Sequence, residues 1–127
     1  MERRHVSSGS PYEPLIGFSR AVRVGDRVIV SGTAPIRADG EVDEDVTAQA
    51  RRCLQIVGEA LAEAGANLAD VVRTRTYLVD ANDAEAVGRV HGEAFGDIRP
   101  ASTMVVVSGF LDRRWRLELE AEAVVTA

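Results

Sequence analysis

The 127-residue chain has no lysine; all 15 of its basic residues are arginines. Without a lysine amine, Schiff-base catalysis by the chain, including a pyridoxal phosphate aldimine, is excluded. Cysteine occurs once, at Cys53, which rules out an intramolecular disulfide and fits a reducing compartment. The two histidines, His5 and His91, with a lone cysteine and no close ligand spacing, do not make a zinc site, and no metal is expected. Aromatic residues are 5%, and 20 acidic residues give a formal net charge of −5. A nucleic-acid surface shows as a basic stripe with interleaved aromatics, so nucleic acid is not an expected partner. The longest apolar run, MVVV at 104–107, is far too short to span a bilayer. The opening MERRHVSSGSPYEP has no apolar signal-peptide core, so a cytoplasmic protein with no membrane partner is expected. No G-x-S-x-G elbow, P-loop or dinucleotide fingerprint occurs.

What is present is ordinary globular material, 46% hydrophobic and 28% charged. The length suits one domain over residues 1–127, large enough to bury a core without staples. The opening SSGSPYEP reads as loop. Two β-branched runs, 20–24 and 27–33, flank Gly25-Asp26 and predict a hairpin. From 46 to 64, Val46, Ala50, Cys53, Leu54, Val57, Leu61 and Ala64 recur at helical spacing, and Gly65 is placed to end that helix. DVVRTRTYLV (70–79) predicts a strand. NDAEAVGRVHGEAFGD predicts a second helix, with Asn82 as its N-cap and Glu85 as the acid of a capping box. A strand follows over 101–108, then a turn over 109–114 and a final strand. The order β-β-α-β-α-β-β predicts an α+β fold, one mixed sheet with both helices on one face. The other face is then wet or covered by another copy of the chain.

The final strand, WRLELEAEAVV (115–125), alternates strictly. Leu117, Leu119, Ala121 and Ala123 fall on one side, and Arg116, Glu118, Glu120 and Glu122 on the other. Side chains two apart on a strand stand roughly 7 Å from each other, so the three glutamates form a like-charge row that needs water, cations or a ligand. Cys53 reads as a buried structural thiol and His91 as a helix-packing residue on the edge of an apolar stripe. Ser31, in VSGTAP just before Gly32, reads either as a turn serine or as a hydroxyl beside an accessible backbone amide.

Taken together, GFSRAVRVGDRVIVSGTAP, QARRCLQIVGEALAEAGANLADVVRTRTYLVD, FGDIRPAST and LELEAEAVV resemble, in order, the reactive intermediate deaminase (Rid) family, also called YjgF-like or endoribonuclease L-PSP. The resemblance covers roughly residues 15–125. It implies a chorismate-mutase-like fold assembled as a homotrimer, with small-molecule clefts between subunits. It also implies hydrolysis of enamine/imine intermediates such as 2-aminoacrylate to 2-keto acids and ammonia, with no cofactor. Carried over by position, Glu118 matches the carboxylate that directs water. Ser31 and Gly32 match the cleft serine and glycine, and Phe18 matches a cleft tyrosine without its hydroxyl. In RPASTM, Ser102 stands where active deaminases carry an arginine that grips the substrate carboxylate, followed by Thr103 and Met104. A bidentate arginine contact is charge-assisted, and a serine hydroxyl offers one neutral donor, so an altered substrate preference is expected. Arg75 or Arg99 are the candidates for a replacement cation. The alternative is a trimer that binds a small metabolite without turnover. Ribonuclease activity fits least, given the acidic charge and the absence of lysine.

Overall fold

In a computed structural model of the chain, which describes residues 2–126, the final alternating segment forms strand β6 (Leu117–Val124) inside a six-stranded sheet. The other strands are β1 (Arg3–Val6), β2 (Ala21–Val24), β3 (Arg27–Thr33), β4 (Val71–Leu78) and β5 (Ala101–Val106), in spatial order β1-β2-β3-β6-β4-β5. The helices are α1 (Val46–Glu63) and α2 (Ala84–Phe95). Only β4 and β5 pair directly as parallel strands. Because β3 and β4 are each antiparallel to β6, they run parallel to one another. Hence β3-α1-β4 and β4-α2-β5 are both crossovers, and both step toward the β5 edge. Right-handed crossovers stepping the same way put their helices on the same face.

That face buries the apolar side of β6, with Leu117, Leu119, Ala121 and Ala123 against Val57 and Leu61 of α1 and Val87, Val90 and Phe95 of α2 in one cluster. Cys53 belongs to it, fully buried, its thiol donating to the Thr33 carbonyl at 3.3 Å. Asp45 caps α1 by accepting from the Ala48 amide. Gly65 ends the helix at φ +82°, where a Cβ would stand 2.8 Å from an Arg23 guanidinium nitrogen. Arg23 donates to the Ala64 carbonyl at 2.7 Å, satisfying one of the orphan acceptors that every helix C-terminus leaves. The hairpin falls at Gly25-Asp26 as expected, with Val24 opposite Arg27 and Gly25 at φ +62°, the II′ arrangement.

Three local expectations are corrected. The first residues include a strand, β1, paired antiparallel to β2. Three of its four residues are exposed, so it shows no alternation to read. The second helix does not start at Asn82: Asp80 caps a short 3-10 turn over Ala81–Asp83, accepting from the Asn82 amide, and α2 begins at Ala84. Asp83 is buried because it receives Arg116 in a two-pronged contact, at 2.6 and 3.1 Å. Arg116 therefore turns away from the glutamate row and ties the start of β6 to the start of α2.

Gln49 holds the same end of the fold. Its amide nitrogen donates to the Asp43 and Arg114 carbonyls at 2.7 and 2.8 Å, and its oxygen accepts from the Arg116 amide at 2.8 Å. Replacing this buried group by Leu would leave three backbone groups without partners. Each such loss typically costs about 1–3 kcal/mol, with partial relief by water. Gln49→Leu should therefore destabilise the protein by about 2–4 kcal/mol in urea denaturation, with an unchanged m-value.

Candidate functional site

On the face opposite the helices, register decides which glutamate is left over. Arg73 stands opposite Glu122, Arg75 opposite Glu120 and Tyr77 opposite Glu118. Glu122 lies 3.7 Å from Arg73 and 3.8 Å from Arg75, and Glu120 lies 3.6 Å from Arg75. Tyr77 does not serve its own neighbour: its hydroxyl donates to Glu120 at 2.5 Å, a bond that raises the phenol pKa. Among the described residues, Glu118 has neither an ion pair nor a hydrogen-bond donor. Burial pushes its pKa up, opposed by Arg20 and assisted by Glu120. Arg75, one candidate for a free cation, is occupied by the glutamates. Arg99 is exposed in the turn before β5, with φ +55°.

A bulge shapes the other side of Glu118. Val30 pairs with Ala121 and Thr33 with Leu119, so Ser31 and Gly32 together oppose the single residue Glu120. Bulges re-aim side chains and recur beside functional sites. The bulge puts Gly32 under the Glu118 carboxylate, where a Cβ would approach Oε2 to 3.0 Å. The Ser31 hydroxyl donates to the Ser19 carbonyl at 2.6 Å, and its amide donates to the Arg20 carbonyl at 3.0 Å. These bonds clamp the segment after Phe18 against the bulge. Phe18 itself is 38% exposed and closes a π-helical turn over Glu13–Gly17.

Arg20 was not singled out from the sequence, yet it is the cation of this corner. Its Nη2 donates to the Gly32 carbonyl at 2.6 Å, while its Nε is buried without a partner. Burial lowers its pKa against the fields of Glu13 and Glu118. Glu13 is buried in turn; burial raises its pKa, but the Ser8 hydroxyl and amide overcome this and leave it lowered. An arginine at the start of a β-branched run reads as a surface residue, and only the fold puts it between two carboxylates. Nearby, Cys53 is pushed up to about 12, first by burial and then by Glu118, so the thiol is inert.

The remaining predicted residues lie elsewhere. Ser102 and Met104 stand opposite Thr74 and Thr76 on β4 and share their helix-side face, while Thr103 stands opposite Arg75 on the other face. The Ser102 hydroxyl is 2.9 Å from Thr74 Oγ1, and Met104 packs on the core. Thus Ser31, Gly32 and Glu118 are brought together within one chain, Phe18 directly precedes the Ser19 that Ser31 bonds, and Ser102, Thr103 and Met104 sit two strands away. A depression of about 390 Å³ between the 37–43 turn and α1, lined by Arg37, Asp43, Arg51 and Arg52, does not include Glu118. Its Arg37 is already paired with Asp39 and Asp43. Among the described residues, no group of three or more His, Cys, Asp or Glu side chains gathers as a metal site, and no helix is long and apolar enough to cross a membrane.

Fold and site together define a small α+β protein whose sheet carries helices on one face and a half-buried, unpaired carboxylate on the other. Residues 9–125 match the family model described as endoribonuclease L-PSP, and the chain belongs to that family. It is 45% identical over 121 residues to an uncharacterized protein of Streptomyces coelicolor, covering 94% of this chain and 90% of that one. Its fold matches the crystal structure of Rv2704 from Mycobacterium tuberculosis, a member of the YjgF/YER057c/UK114 family. The TM-score is 0.90 at 45% identity, over 98% of this chain and 100% of that one. It also resembles E. coli TdcF with bound serine, at a TM-score of 0.82 and 27% identity, over 97% of this chain and 94% of that one.

A carboxylate whose pKa is raised on folding takes up protons with folding. Its contribution is present below the ordinary carboxylate range and is lost as pH rises through the folded-state value. Glu118→Gln should therefore stabilise the protein at neutral pH, and the advantage should shrink as pH falls. Urea denaturation at intervals from about pH 4 to about pH 8 reads this directly.

Proposed function

We propose that the protein binds a small imine or enamine in a cleft between copies of the chain and hydrolyses it, with Glu118 directing water. The observation that carries this reading is the singular state of Glu118. It is the one member of its row without a cation or donor, it is half-buried with a raised pKa, and Gly32 beneath it has no side chain to cover it. A carboxylate in that state takes a proton from water as the oxygen attacks the carbon of the protonated imine, giving a neutral carbinolamine. It then returns the proton to nitrogen, ammonia leaves as the carbonyl forms, and the hydroxyl proton passes to ammonia or water. Arg20 offsets the negative charge of the corner, and the bulge leaves no side chain at Gly32 between the carboxylate and a ligand. The serine bound to TdcF supports an amino-acid-sized ligand.

Two features support a homotrimer with shared clefts. Glu118 and Ser102 lie on opposite faces of one sheet, so a site using both draws them from different copies. The face bearing the glutamate row also exposes Ile29 and Val105, which a second copy would cover. The second reading, binding without turnover, is favoured by Phe18, which has no hydroxyl, and by Ser102, which already bonds Thr74. Ribonuclease action by a histidine pair is not supported, because His5 lies on β1 paired to Val22 and bonded to Ser19, whereas His91 lies on α2 beneath the sheet.

Imines generated in situ by an amino-acid oxidase, with ammonia release as the readout, test the enzymatic reading. Wild type should accelerate hydrolysis over buffer, and Glu118→Gln should reduce the rate by about 10²–10⁴-fold while remaining folded. Binding of a product keto acid with no acceleration for any imine would favour the binding reading. Sedimentation equilibrium should give three times the 13.7 kDa chain mass, and a stable monomer would exclude the shared cleft.

A further inference from the structure

His91 is not merely a packing residue. Its ring lies 4.7 Å from that of Phe95, and its Nε2 is 2.8 Å from Thr74 Oγ1. Thr74 is fully buried, and its hydroxyl is also 2.9 Å from the exposed Ser102 hydroxyl. A buried hydroxyl thus links a helix imidazole to a hydroxyl on the outer strand of the sheet.

A threonine hydroxyl has one proton to give, so the chain can run in only two directions. If His91 Nε2 accepts, Thr74 donates to it and must accept from Ser102, whose proton is then used inward and whose lone pairs face out. If Nε2 carries a proton, it donates to Thr74, Thr74 donates to Ser102, and the Ser102 proton is free to point out. Neutral imidazole allows both directions, one for each tautomer, whereas imidazolium allows only the second. We propose that His91, acting through Thr74, sets whether the Ser102 hydroxyl takes or gives a hydrogen bond, so that protonating His91 turns the edge of β5 into a donor position for a carboxylate ligand.

The surroundings of His91 leave this control to the hydrogen-bonded chain. On α1, Arg51 is paired with Glu93 of α2, and Arg89 of α2 is paired with Glu85. Arg73 and Arg75 of β4 face the opposite side of the sheet, among the glutamates. Asp97 and Arg99 are exposed in the turn that follows α2. Burial alone shifts His91, lowering its pKa, so near neutrality the ring is uncharged and Ser102 is free to accept from an amine or imine N–H. Below that range it becomes a donor. The inference rests on the functional reading only in taking Ser102 as a ligand contact, and Thr74 and His91 are positioning residues.

With two histidines in the chain, the His91 ring resonance can be followed by NMR and assigned with a His5→Gln variant. The probe is pyruvate, with neutral pyruvamide as control. Linkage is reciprocal: pyruvate should bind at least about fivefold more tightly below the His91 pKa than above it, and should raise that pKa, while pyruvamide should do neither. Ser102→Ala, at an exposed site, should abolish both effects. Thr74→Val should do the same if it folds, and Thr74→Ser should restore them. A pyruvate-induced shift that survives Ser102→Ala would overturn the proposal. So would its loss in Arg99→Gln with Ser102 intact, since the carboxylate would then be held by the loop arginine. Glu118→Gln should leave the titration coupling intact, so an absence of turnover does not imitate failure here.

Discussion

The register between β4 and β6 is the constraint on which the open face depends. Arg73, Arg75 and Tyr77 meet Glu122, Glu120 and Glu118 in turn, so two of the three carboxylates receive cations. The third faces a phenol that is bonded elsewhere. These ion pairs are partly exposed and no closer than 3.6 Å, a class worth about 1 kcal/mol or less each. Their importance lies in what they leave unpaired. A slip by one residue would send every β6 side chain to the other face, and Leu117, Leu119, Ala121 and Ala123 under the helices forbid it. The core thereby selects which glutamate is left without a partner.

The bulge completes that selection from the other side. A regular β3 would set a single residue opposite Glu120; the extra residue aligns Gly32 with Glu118 and turns its carbonyl to Arg20. The carboxylate is thus confined by a backbone surface, and burial holds its pKa above the ordinary carboxylate range. That state suits a group that must both take and return a proton, and burial without pairing is unfavourable for a fold that needs only stability.

Much of this was legible in the sequence because the signals were periodic. The alternation of β6 put the glutamates on the open face, the spacing from Val46 to Ala64 marked α1, and Gly25-Asp26 marked the hairpin. What escaped was local and non-periodic. β1, spelled RRHV, is an edge strand that buries only Val6 and gains its partner from β2. The bulges at Ser31-Gly32 and at Val72 insert residues that a period of two cannot show. Arg116 fits the alternation yet leaves it for Asp83. Arg20 and Thr74 carry no motif, and their importance comes from carboxylates, a serine and an imidazole brought in from distant segments.

The arginines of the N-terminal sheet edge make one further demand on the chain. Arg4 donates to the Glu63 carbonyl at 2.8 Å, and Arg23 to that of Ala64, so the outer strands are fastened to the far end of α1. Those acceptors exist only once the helix has been wound to its last turn. The outer strands β1 and β2 therefore complete this docking only after α1 has formed through its last turn. As an edge strand with one buried residue, β1 is also a segment that opens readily in the native state, so amide exchange would enter the sheet from this side while the interior of β6 stays closed.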